Sequence, residues 1–116
     1  MSIHEWSEHV LVVDLQNEPL LSDDLQILAE RLESQETPCD VVLNFLSVGF
    51  LNSSNISQLL RVREALRTGG GRLCLCSINS SIASVLEVTH LDRLFPQEED
   101  TASALAALQM AADEAE

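Results

Sequence analysis

Apolar residues along this chain follow two periods in turn. Short, mostly apolar runs occur at VLVVDL (Val10 to Leu15), VVLNFL (Val41 to Leu46) and RLCLCSI (Arg72 to Ile78). Each has the length of a strand, and the β-branched VLVVDL reads as one covered on both faces or nearly so. Between them the apolar positions change to steps of three and four. Leu25, Leu28 and Leu32 mark one helix, and Ile56, Leu59, Leu60, Ala65 and Leu66 a second. Ile82, Val85 and Leu86 mark a third, and Leu105 and Leu108 a fourth within the Ala-rich DTASALAALQMAADEAE.

Polar residues set the expected boundaries. Ser22 is placed to cap the first helix, with Asp23 and Asp24 in its first turn against the positive helix end. SQETPCD, Ser34 to Asp40, reads as a turn carrying Pro38, and VVLNFL follows as the expected central strand. Asn52 or Ser53 caps the second helix, and Gly69-Gly70-Gly71 ends it. Ser80 or Ser81 caps the third helix, LDRLFP holds a short extended piece ended by Pro96, and the acidic C-terminal end is expected to fray. Strands alternating with helices predict an α/β fold, a mixed and mainly parallel sheet flanked by about four helices. The length of 116 residues suits a single domain spanning 1–116, with its core at about 10–110. No internal repeat or low-complexity linker interrupts it.

Composition narrows the classes of partner. Six basic residues against nineteen acidic ones give a net charge of −13, and all six are Arg, with no Lys. Such a surface repels phosphate backbones and anionic headgroups, so, unless the few Arg cluster tightly, nucleic acid and acidic membranes are poor partners, and a basic protein surface is a better one. No apolar run has the ~18 residues needed to span a bilayer, and the N-terminal MSIHEWSEHV has neither a basic n-region nor an apolar h-region. A cytoplasmic location without membrane insertion is expected. Cys39, Cys74 and Cys76 form no CxxC and are odd in number, against a disulfide framework or a zinc site.

Candidate chemistry is thin. His4, His9 and His90 have no HxH or HExxH spacing, so no metal site is expected, and no GxSxG elbow presents a nucleophile. The triple glycine follows a helix and precedes a strand, the reverse of a phosphate loop. Cys74 and Cys76, two apart in a strand, share one face and suit core packing. A phosphoaspartate receiver domain needs a lysine beside its acidic cluster, and the chain has none. No catalytic residue and no cofactor is expected. What remains is the strand-to-helix junction LNSSNI, where two serines stand between asparagines at a helix start. A phosphate there faces free amides and a positive dipole end, while its charge of about −2 alters the surface outside the fold.

Two segments carry a resemblance. VVLNFLSVGFLNSSNISQLL is similar to the strand, short link and D-S-S-G helix start of the STAS domain, as found in bacterial anti-sigma factor antagonists. GGGRLCLCSINSSIASVLEVTHLDRLFP resembles that family's glycine turn, strand, S-P-x-V-x-x-x-L-x-x-T-G-L helix and terminal strand. The register runs from about Val10 to Leu108. The resemblance implies a non-enzymatic signalling protein that binds an anti-sigma factor, itself a serine kinase, and is switched by serine phosphorylation. By position it implies Ser54 as phosphoacceptor, less favourably Ser53. The implied binding face is Asn52, Ser53, Ser54, Asn55, Ser57 and Gln58, with Arg61 further along the exposed side. The chain departs from the pattern at Asn52, where Asp is usual, and at Asn55, where Gly is usual. NEPLL stands where G-E-L-D is common, and Thr89-His90 where Thr-Gly is. These departures leave a second expectation open, a constitutive STAS interaction subunit within a signalling or transport assembly, in which the serines serve structure alone.

Overall fold

The computed structural model describes residues 1–110 in full, with 111–115 as helix. The expected fraying of the acidic C-terminal end lies outside the described residues. Three strands form where the apolar runs predicted them: β2 (Val10–Gln16), β3 (Asp40–Ser47) and β4 (Leu73–Cys76). Two further strands complete the sheet, β1 (Ser2–Ser7) and the two-residue β5 (Gln97–Glu98). The order is β1-β2-β3-β4-β5, with β1 antiparallel to β2 and the other neighbours parallel. VVLNFL is therefore the central strand, as expected.

β1 lies ahead of the expected core because its pattern conceals it. It is an edge strand exposed along almost its whole length, so no apolar period marks it. Its register slips between Glu5 and Ser7, and such an irregularity discourages a further strand from pairing at the edge.

Helices α1 (Leu20–Glu33), α2 (Ser53–Thr68) and α3 (Ser80–Val88) pack on one face of the sheet, and α4 (Thr101–Ala115) on the other. The pleat divides the strands accordingly. Val13, Leu43, Phe45 and Leu75 point to the three-helix side, where Leu25, Leu28, Leu59, Val62, Ile82 and Leu86 meet them. Val12, Val42, Cys74 and Cys76 point the other way, beneath Ala104 and Leu108. Both cysteines are core filler, as their spacing predicted, and burial pushes the Cys74 thiol up to about 11. It stays protonated at neutral pH and makes a poor redox centre.

Two helix starts differ from expectation. α1 begins two residues before Ser22, with Pro19 at its N-cap, and Ser22 instead gives its N–H and hydroxyl to the Glu18 carboxylate. In α3 the cap is Asn79, whose side chain accepts from the Ile82 N–H at 2.9 Å, and Ser80 and Ser81 are already helical.

Candidate functional site

The serine turn stands at the carboxyl ends of the parallel strands, and asparagines tie the neighbouring connections together there. After β2, Asn17 Oδ1 accepts from the Gly49 N–H at 2.8 Å. After β4, Asn79 Nδ2 donates to the Gly49 carbonyl at 3.1 Å. The link between β3 and α2 is thus held from both sides by side chains that compensate its lack of backbone pairing.

α2 itself is capped by asparagines and not by serines. Asn52 Oδ1 accepts from the Asn55 N–H at 2.8 Å, and Asn55 Oδ1 accepts from the Asn52 N–H at 3.0 Å, a reciprocal capping box. Asn55 is only 1% exposed, and its Nδ2 also reaches Ser22 Oγ at 3.3 Å and Gln58 Oε1 at 3.4 Å. Its place in the implied binding face is therefore corrected: the side chain is spent inside the α1–α2 junction. Gln58 is half-buried and likewise a strut, its Nε2 donating to the Ser22 carbonyl at 2.9 Å.

Ser53 and Ser54 occupy the first turn of α2 and are exposed. With the Asn52 and Asn55 amides satisfied by the box, the unclaimed donors of this helix end are the N–H groups of Ser53 and Ser54 themselves. Neither hydroxyl takes part in a hydrogen bond among the described residues. Ser57, one turn on and exposed, bonds weakly to the Ser53 carbonyl at 3.3 Å. Arg61 is exposed too, yet its guanidinium is engaged by Glu33 across the helix pair, at 2.9 Å from Nε and 2.7 Å from Nη2. That bond holds the Glu33 carboxyl below its usual range. Arg61 thus belongs to the α1–α2 contact and is not a free cation on the binding face.

Glu18 closes the other side of the turn. Its carboxylate accepts from Ser22, and more distantly from Asn52 Nδ2 at 3.5 Å, and these bonds hold it below the ordinary glutamate value. The ionised form is thus favoured in the fold, so this tie is complete above the ordinary value and is lost as pH falls through the lowered one. Phe50 stands 63% exposed in the link just before α2, while the exposed Leu46, at the end of β3, alternates with Phe45 and faces the other side of the sheet. Leu46 ends the run that the sequence marks as the central strand, and Phe50 follows the short link after it. The available signal for Phe50 was an aromatic residue beside a polar helix start, with the neighbouring Leu51 already filling the core position.

Among the described residues no group of three His, Cys, Asp or Glu side chains gathers to hold a metal, and no helix is long and apolar enough to cross a membrane. Comparison with known proteins decides the family, because the STAS domain model matches residues 4–104. The chain belongs to the STAS domain family. Solved structures agree in fold. An anti-sigma-factor antagonist (STAS) domain protein from Planctomyces limnophilus superposes with a TM-score of 0.78 at 23% identity, over 93% of this chain and 97% of that one. A putative anti-sigma factor antagonist from Thermotoga maritima gives 0.78 at 15% identity, over 93% of each chain. The Bacillus cell fate determinant SpoIIAA in its phosphorylated form gives 0.67 at 14% identity, over 91% of this chain and 96% of that one. The single α/β domain with a five-stranded mixed sheet and four helices is the STAS fold.

Proposed function

We propose that this STAS domain is a cytoplasmic, non-enzymatic regulator, an anti-sigma factor antagonist that binds an anti-sigma serine kinase and is released when Ser54 is phosphorylated. One observation carries the reading. Capping of α2 is accomplished by Asn52 and Asn55, which leaves Ser53 and Ser54 exposed, unbonded and beside their own free amides. A serine needed only for the cap would be bonded to the backbone. A phosphate on Ser54 adds a charge of about −2 to the docking face, next to amides that tolerate it locally. Phe50, exposed in the link just before α2, supplies apolar contact area near the serines, and the acidic surface favours a basic partner.

The closed capping box also favours a second reading. Asn55 fills the position at which the resemblance leads one to expect Gly, and it locks the turn from within. A constitutive interaction subunit needs no more than that. Intact mass of the protein purified from its native cells, with fragmentation across residues 50–61, separates the two. Phosphate on Ser54 is expected. An unmodified mass in growing, starved and stressed cells alike overturns the switch and leaves the constitutive subunit.

A further inference from the structure

The arginines of this acidic chain are unevenly placed. A groove of about 330 Å³ opens between the second half of α2, the start of β4 and α4, lined by Arg63, Arg67 and Arg72 beside Leu66, Leu73 and Leu108. Half of the chain's six cations therefore meet at one apolar groove, and no carboxylate lines it among the described residues. In a chain with nineteen acidic residues that separation of charge is a local inversion of the surface field.

The three guanidinium groups are only lightly engaged. Arg63 donates from Nε to the Leu94 carbonyl at 3.0 Å and pairs with no carboxylate among the described residues. Arg67 reaches Glu64 at 3.5 Å in a pair well exposed at both ends, and Arg72 Nε lies 3.9 Å from Asp40. Each retains N–H donors for an anion, and the planar fork of Arg suits carboxylate and phosphate oxygens.

The groove exists because β5 is too short to close the sheet edge. It pairs only with Leu75 and Cys76, and the Leu75 N–H bonds to the Pro96 carbonyl at 2.8 Å. Leu73, two residues earlier, turns its N–H and C=O to the same side. The register would bring the N–H of residue 96 to the Leu73 carbonyl, and proline has none. The Leu94 carbonyl, next in line for the Leu73 N–H, accepts from Arg63 instead. Pairing stops there, and the apolar floor stays open.

We propose that this groove binds an anionic amphiphile, a carboxylate or phosphate head carried on a medium-length apolar chain. The arginines take the head, and Leu66, Leu73 and Leu108 take the chain. Size favours a small molecule: the volume of about 330 Å³ lies at the lower end of the ~300–1,000 Å³ of ordinary ligand sites. Charge favours an anion, since a cationic amphiphile would meet three guanidinium groups and a neutral one would leave their remaining donors unused.

The test is titration of the full-length protein with decanoate and with decyl phosphate below their micelle concentrations, followed by calorimetry and by amide NMR shifts. Decanol serves as the neutral tail and inorganic phosphate as the bare head. Saturable binding of one molecule per chain is expected, with shifts centred on Leu66, Leu73 and Ala107. The tighter of the two anions identifies the head. Arg67→Gln, at an exposed position that leaves the fold intact, and the double variant Arg63→Gln/Arg67→Gln should weaken binding in steps, the double by about tenfold or more. Thermal melts establish that both variants are folded. Non-saturable partitioning, shifts away from the groove, decanol binding as tightly as decanoate, or undiminished affinity in the folded Arg67→Gln variant would each overturn the site.

Discussion

Asn55 is the one buried polar residue among those described, and each of its polar atoms has work inside the fold. Its amide N–H and Oδ1 form the capping box with Asn52, while Nδ2 bridges to Ser22 and Gln58. Asn52→Ala removes a half-exposed cap acceptor, an expected cost of about 1 kcal/mol. Asn55→Ala leaves the Asn52 N–H without its acceptor and empties a buried junction, an expected cost of about 2 kcal/mol. The two bonds are separate, each side chain accepting from the other's backbone N–H, but they close one turn, so losing either loosens the geometry the other needs and the double variant should cost less than the sum, by roughly 0.5–1 kcal/mol. Urea denaturation of the four proteins measures this cycle. Strict additivity would mean that the two bonds form independently; no loss in either single variant would mean that the box is not formed in solution, and with it would go the argument that Asn52 and Asn55 free the serines from capping.

Among the elements, the glycine turn between α2 and β4 offers a sharp contrast. A Cβ at Gly71 would stand 1.8 Å from the Cys39 carbonyl oxygen, a backbone atom that cannot move without shifting the chain before β3. At Gly69 the nearest atom would be 3.6 Å away, an ordinary contact, and the backbone there is already right-handed. Gly71→Ala is therefore expected to lose about 3 kcal/mol or more, and Gly69→Ala to change stability by no more than ~0.5 kcal/mol. Urea midpoints of the two variants decide this, and equal midpoints would refute the close approach. Sequence showed that this GGG ends a helix but not which glycine is indispensable, because the collision is with a residue thirty-two positions away. The same limit runs through the element map. β2, β3, β4 and all four helices were legible because each carries a buried period of its own. β1 was not, because an exposed edge strand needs no apolar pattern. Nor was the start of α1, where a carboxylate before the helix, Glu18, does the capping that Ser22 appeared placed to do. At the candidate site Ser53 and Ser54 were legible as a pair at a helix start, whereas the burial of Asn55 and the capture of Arg61 by Glu33 depend on α1 and are invisible in LNSSNI.

For the molecule as a whole the governing quantity is a charge of −13 within extents of 36 × 26 × 23 Å. At 0.01 M ionic strength the screening length is about 30 Å, comparable to the molecule, so every carboxylate is repelled by nearly all the others. At 0.15 M it is about 8 Å, and only near neighbours still interact. Chloride salt therefore relieves repulsion across the fold. It also weakens the ion pairs, but exposed ones such as Arg61–Glu33 and Arg67–Glu64 contribute little to begin with. Repulsion dominates in this balance because carboxylates outnumber arginines roughly three to one. Raising sodium chloride from 0.01 to 0.15 M should stabilise the protein by about 1 kcal/mol, a rise in Tm of about 4 °C for a domain of this size. Differential scanning calorimetry reads it directly, and chloride is preferred to sulfate because sulfate also strengthens apolar burial. A Tm that falls with salt would show that the few arginine pairs outweigh the field of the whole surface. The preference for a basic partner, which rests on that field, would then have to be argued from local contacts around Ser54 alone.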